Sequence, residues 1–415
     1  MIKYKVVRFK RTHCFVFFFV MNIIHFNNYN NGKERKCMLK KRLCSVALIS
    51  MLVVSAVGCG NDAADDATTS ISIAQIEQDD SADEATTEAT EESDSAAEAA
   101  SVPEGMYLSE TTGEPIDESL KDQRPIAAMV DNEKTALPHY GLSEADVVYE
   151  LMNSTANDRI TRLMAIVKDW GSIEQLGSIR STRPTNILLM AEWNAILCHD
   201  GGPYYNDQYF QYDWADHLSG VFSRVDNGKA REFTEYIMSG DLEKNIESAG
   251  LSATYNEYAN EDDSHFNFTP WGTEVNLDEV YDKTYSATDI TLPFWHNGSR
   301  LKYDESTQEY VYYEYDSEHL DAEDNEPLSF KNVILQNCTF SQLDEHGYLI
   351  YNCIDAGQSG WYITNGKAKA ITWVKSGETE ITRYYDDNGD EIQINTGKTY
   401  IGLIPSDTWS SVSFE

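Results

Sequence analysis

From residue 124 to 200, short apolar runs alternate with polar turns. The runs at 126–130, 147–151, 160–167 and 195–199 have strand length. Apolar runs of this length predict strands. Residues 184–193 open on Pro184 and repeat apolar side chains at helical spacing, which predicts a helix. Residues 229–249 read as a second helix, ended by Gly250. The stretch 255–290 is polar and irregular, contains Pro270, and is expected to hold a domain boundary.

Beyond residue 290 the pattern changes to β. The segments 301–303, 310–315, 333–340, 348–354, 361–364, 368–374, 382–385 and 399–404 are rich in Val, Ile, Tyr and Trp. Asn365-Gly366 and Asn388-Gly389 suit two-residue hairpin turns. The expected fold class is therefore α+β: a mixed α/β N-terminal domain over 106–285, then a mainly antiparallel β C-terminal domain over 286–415. Cys338 and Cys353 fall in the two arms of an expected hairpin. A turn centred on Glu345-His346 sets them opposite each other, where either a disulfide or two small core residues fit.

The chain has 415 residues and a formal charge of −37. This argues against nucleic acid as a partner, because phosphate backbones want a basic surface. The charge is uneven. Residues 1–58 hold 11 Lys/Arg and one acid, while 59–105 hold 14 Asp/Glu and no Lys/Arg. From Met38, a Lys-Lys-Arg stretch precedes an apolar run at 43–57 and then Gly58-Cys59. That order describes a secretory signal over 38–58, and the Cys after a small residue resembles a bacterial lipoprotein signal. The expectation is a palmitate-type lipid on Cys59 and membrane attachment through it. The competing reading is a spanning anchor, but the run is short of the roughly 20 residues a span needs. Residues 1–37 do not fit in front of such a signal, so translation is expected to begin at Met38, with 1–37 a mistranslated upstream extension. Residues 59–105 read as a disordered acidic tether, reaching about 40 Å as a flexible coil.

Several spaced motifs carry a resemblance. They are Arg124-Pro-Ile-Ala-Ala-Met-Val-Asp131-Asn132, Gly141-Leu-Ser-Glu-Ala-Asp146-Val-Val-Tyr149-Glu150, Ile160-Thr-Arg162, Arg180-Ser181-Thr-Arg183-Pro184 and Cys198-His199-Asp200-Gly201-Gly202. Later come Asn332-Val-Ile, Ile371-Thr-Trp373 and Gly397-Lys-Thr-Tyr-Ile-Gly-Leu-Ile-Pro405. In this order they resemble the YerB-like lipoprotein family over roughly 124–410. The resemblance implies a mixed α/β fold with a β-rich C-terminal part and an envelope address, and it brings no established reaction. The chain departs from the family pattern at Asn157-Asp158, Ser178 and Asp200. It also departs at Arg231-Glu232-Phe233, which replaces a Pro-His-Asn run.

The residues themselves point to an anion. Window 159–183 carries Arg159, Arg162, Lys168, Arg180 and Arg183 against two acids, inside a body of net charge −33. Guanidinium forks suit carboxylate or phosphate, and Arg180 and Arg183 precede a helix N-terminus. Gly201-Gly202 would let a ligand approach the backbone. One reading makes Arg162, Arg180, Arg183, His199, Gly201 and Gly202 a binding site for an anion. The other pairs each arginine with an internal carboxylate such as Asp131, Asp146 or Glu150. Cys198 and His199 are strand neighbours and point to opposite faces. The aromatic run Tyr204 to Trp214 is either a packed loop or a glycan platform.

No His-Glu-x-x-His, Cys-x-x-Cys or Gly-x-Ser-x-Gly motif is present, and neither is the Ser-x-Gly-Cys signature of L,D-transpeptidases. No metal and no cofactor are expected. The chain is expected to be an exported, lipid-anchored, non-catalytic binding or accessory protein of a Gram-positive-type envelope. Its partner would be a wall polymer or another envelope protein. A wall glycan or peptide hydrolase using Asp131, Glu150 and His199 is the alternative.

Overall fold

The apolar runs form strands because each is covered from two sides. In β1 (Ile126–Asp131), Ile126, Ala128 and Val130 enter one core, and Ala127 and Met129 enter another. The same alternation buries every residue of β2 (Val147–Met152) and β3 (Thr161–Val167). The computed structural model describes residues 99–260 and 264–415. The extension, the signal, Cys59 and the tether up to residue 98 lie outside the described residues.

Helix α1 (Pro184–Ala191) starts on its proline and is buried throughout. Strands β4 (Ile196–His199) and β5 (His217–Ser219) follow. The helix expected over 229–249 is corrected. Arg231–Phe233 is a single 3-10 turn, and Glu235–Met238 is a strand between Gln175–Gly177 and Ser223–Arg224. Only α2 (Asp241–Ala249) is helical. The cause is local. Gly240 sits at φ 80°, which ends any helix running through it. The Asp241 carboxylate accepts from Ser223 N and Met238 N, tying the helix start to the strands.

The second half supplies β6 (Tyr285–Ser286), β7 (Asn332–Cys338), β8 (Asp355–Thr364), β9 (Lys367–Lys375), β10 (Arg383–Tyr385) and β11 (Thr399–Pro405). One eleven-stranded sheet runs β6-β9-β8-β7-β11-β2-β3-β1-β4-β5, with β10 beside β9. Strand β11 pairs in parallel with β7 on one side and β2 on the other, so it joins the two halves. The β6–β10 group is otherwise antiparallel. A second, all-antiparallel sheet holds Asp289–Thr291, Arg300–Asp304, Glu309–Glu314, Ser317–Glu318, Ser329–Phe330 and Ser413–Phe414. Its Ile290, Leu301, Tyr310 and Tyr312 share a core with one face of the large sheet, and α1 covers the other face. The fold is thus mostly β with a few helices: mixed pairing in the N-terminal region, antiparallel in the C-terminal region. The described residues belong to one compact unit.

Two turn expectations are also corrected. The arm expected at 333–340 does not pair with 348–354. Strand β7 is taken by β8 and β11, and only Phe340–Gln342 pairs with Leu349–Tyr351. Phe340 faces Tyr351, which keeps the turn centre at Glu345-His346. Cys338 and Cys353 are buried free thiols. Asn388-Gly389 belongs to a longer turn, closed by Asp386 N to Asp390 O at 2.9 Å and the Tyr385–Glu391 bridge. The Asp386 carboxylate captures the Asn388 and Asp390 N–H groups and widens it.

Candidate functional site

Register brings the arginines together. Strand β1 ends at Asp131, opposite Arg162 on β3. The segment leading into α1 crosses that end, with Asp131 N bonded to Ser178 O at 3.0 Å and Arg180 N to Met129 O at 2.8 Å. Arg162, Arg180 and Arg183 therefore meet in one polar cleft of about 630 Å³. Arg180 Nε lies 2.6 Å from Asp131 Oδ2, and Arg162 Nη2 lies 3.4 Å from Oδ1. Arg162 also donates to Ser181 O at 2.8 Å and Asn153 Oδ1 at 3.2 Å.

Arg183 is different. It donates to Asn153 O at 3.1 Å and Thr182 O at 2.9 Å, and it pairs with no carboxylate among the described residues. Its guanidinium lies 4.8 Å from the centre of the Tyr348 ring. Burial, reinforced by the Arg162 and Arg180 charges, pushes it down to about 9, so it stays charged at neutral pH. Burial opposes ionisation of Asp131, yet the Arg162 and Arg180 charges outweigh it and hold that carboxyl below its usual range. The cleft thus gathers three guanidinium groups around one buried carboxylate, which pairs with only two of them. Of the two acids at the rim, one reaches Arg180 and one looks elsewhere. Glu232 is half exposed, 3.3 Å from Arg180 Nη1, and Glu133 faces His296 at 3.3 Å.

The other predicted site residues lie elsewhere. His199, Gly201 and Gly202 do not line this cleft. His199 bonds Gly201 O at 2.8 Å and His217 Nδ1 at 3.1 Å, and stacks near Phe210. Burial pushes it down to about 4, so it is neutral at pH 7. Gly201 O accepts from Thr182 N at 3.2 Å, so this turn braces the arginine segment without reaching the cleft. Glu150 is fully buried outside the cleft. It accepts from Thr161, Ser299, Tyr312 and Tyr400 hydroxyls at 2.7–3.0 Å. Arg159 pairs with Asp407, and Lys168 with Glu110. In the aromatic run Trp214 is buried and Phe210 packs on His217, while Tyr204 and Tyr212 stay exposed.

Sequence reasoning missed the Asn153 and Tyr348 contributions: neither carries a motif of its own, Asn153 directly follows β2, and Tyr348 comes from a distant turn. A larger groove, about 850 Å³, passes Trp193, His265 and Phe268. Its buried acid Glu192 is already met by Lys375 at 3.2 Å and by Thr382, which leaves the arginine cleft as the better anion site.

Fold and cleft together define a β-rich protein built on one mixed sheet that carries a guanidinium-lined cleft. The chain belongs to the DUF3048 family of proteins of unknown function. Its N-terminal domain model matches residues 111–252 and its C-terminal domain model matches 290–401. A relative from Bacillus subtilis (strain 168), named "Putative lipoprotein YerB", is 23% identical over 308 residues, covering 73% of this chain and 87% of the relative. The crystal structure of YerB protein from Bacillus subtilis shares the fold, with a TM-score of 0.62 at 20% identity. The match covers 74% of this chain and 99% of that one.

Proposed function

We propose that this protein is an extracytoplasmic, lipid-anchored binding or accessory module whose Arg162–Arg180–Arg183 cleft receives an anionic group of a cell-envelope ligand. The observation that carries the reading is Arg183, a buried guanidinium left without a carboxylate partner. A buried charge held by two carbonyl groups and a tyrosine ring, with no counter-charge paired to it, is costly, and an incoming phosphate or carboxylate would neutralise it. The Gly58-Cys59 signal supports the anchor, as does the relative's name. The hydrolase reading draws no support from the geometry. Glu150 is enclosed by hydroxyls, Asp131 is held ionised by two cations, and His199 sits outside the cleft. For Asp131 this is the opposite of what a general acid needs, a carboxyl whose proton is retained.

Titration calorimetry with inorganic phosphate and with a phosphorylated wall fragment tests the cleft. Arg180→Ala removes one charge-assisted contact, worth about 2 kcal/mol, so affinity is expected to fall about 30-fold. Undetectable binding by the wild type, or equal binding by the variant, overturns the reading.

A further inference from the structure

A second cluster lies where the two halves meet. His139 follows the turn after β1, Glu314 ends the strand Glu309–Glu314, and His319 lies in the loop beyond it. Their exposures are 0%, 2% and 4%. One donor atom from each falls within 4.8 Å of the others. His319 Nδ1 is 2.8 Å from Glu314 Oε1, and His139 Nδ1 is 4.0 Å from the same oxygen. Three of the trio's polar atoms have no hydrogen-bond partner: His139 Nδ1, Glu314 Oε2 and His319 Nε2. Buried polar atoms are normally satisfied, so three orphans in one place require a cause. The Asn297 side chain reaches Glu314, and the charged groups around the trio are Asp131, Glu150 and Asp321. No lysine or arginine is among them.

We propose that His139, Glu314 and His319 bind one divalent transition-metal ion of the zinc class, which fastens the β1–β2 connection to the second sheet. Two imidazole nitrogens and a carboxylate are a zinc donor set, and the nitrogen donors select against calcium and magnesium. His139 is already oriented for it. Its Nε2 donates to the Asp131 carbonyl at 2.6 Å, which fixes the tautomer and leaves Nδ1 its lone pair. Ala322 N bonds His139 O at 2.9 Å and holds the same loops together. Asp321 is not a competing ligand, since its carboxylate accepts from Gly141 N, Ser143 N and Glu323 N. The remaining coordination position falls to a small exogenous ligand such as water. The burial of all three donors makes the role structural.

The test uses the full chain, purified in detergent without chelator or a metal-affinity step. Elemental analysis is expected to find one zinc per chain. Cobalt added to metal-stripped protein is expected to give the visible bands of a four-coordinate site. His319→Gln and Glu314→Gln should both lose the stoichiometric ion, while Arg180→Ala keeps it. X-ray absorption on wild-type zinc protein should show nitrogen and oxygen ligands with the outer-shell scattering of two imidazoles, a readout that stands even where a variant fails to fold. A folded wild type with no stoichiometric metal and no cobalt bands overturns the proposal. Full metal content in both folded variants, or sulfur in the ligand shell, also overturns it.

Discussion

At the scale of single residues, environment decides what each titratable group does. Asp131 and Glu150 are both buried carboxyls, yet two guanidinium groups pull the first down, while burial, against its hydroxyl partners, pushes the second up. His199 illustrates the consequence for stability. Burial lowers its pKa from 6.5 to about 4, with the Gly201 carbonyl bond and nearby Asp200 opposing the shift and His217 adding to it. The unfolded chain takes up that proton first. The stability contributed by the neutral ring is therefore complete above pH 6.5 and is lost as the pH falls through about 4. His199→Asn keeps a donor toward the Gly201 carbonyl but has no proton to gain. Its urea unfolding free energy is expected to fall less than that of the wild type between pH 6.5 and 4, by about 2 kcal/mol. Parallel profiles for the two proteins would place the shift elsewhere.

At the scale of elements, what could be read was what burial writes into a pattern. The runs at 126–130 and 147–151 became β1 and β2 with one extra residue each, since strands covered on both faces leave an apolar signature. Pro184 marked the start of α1 for a similarly local reason. The missed strand at Glu235–Met238 is held by the distant Gln175–Gly177 and by Ser223–Arg224, which lies just ahead of the stretch, and no spacing inside 229–249 announces them. The cleft was legible in its arginines because three of them crowd one short window. The residues that finish it are not, and neither is the His139–Glu314–His319 trio, whose members lie up to 180 positions apart. The segment Arg231–Phe233, where the chain departs from the family pattern, contributes Glu232 and Phe233 to the cleft wall. Strand packing itself is testable at Gly360 on β8. A Cβ there would lie 2.7 Å from the Leu335 carbonyl oxygen of β7, a backbone atom that cannot step aside. Gly360→Ala is expected to lose about 2 kcal/mol and to lower the thermal midpoint by several degrees. Gly171→Ala, whose nearest neighbour would be 3.8 Å away, serves as the control.

At the scale of the whole molecule, the two family domains share one sheet, and the strand that joins them is the last of that sheet in chain order. Strand β11 has seven buried residues and lies between β2 and β7. Its Tyr400 and Ile404 enter one core and its Ile401 and Leu403 the other, so it contributes to both layers. The N-terminal half made alone would leave β2 as an unpaired edge in the middle of an apolar surface, the arrangement that invites aggregation. It would also lose Tyr400 and Tyr312, two of the hydroxyls that satisfy buried Glu150. An unsatisfied buried carboxylate costs several kcal/mol, a large part of the stability of any domain. Residues 99–285 expressed alone are therefore expected to be insoluble or unfolded, and soluble material is expected only when 286–415 is co-expressed. The intact chain is expected to unfold in one step, with tryptophan fluorescence and far-ultraviolet circular dichroism changing over the same denaturant range. A folded, monomeric 99–285 fragment, or two separated transitions in the intact chain, would mean that β11 docks onto a half already formed rather than completing it.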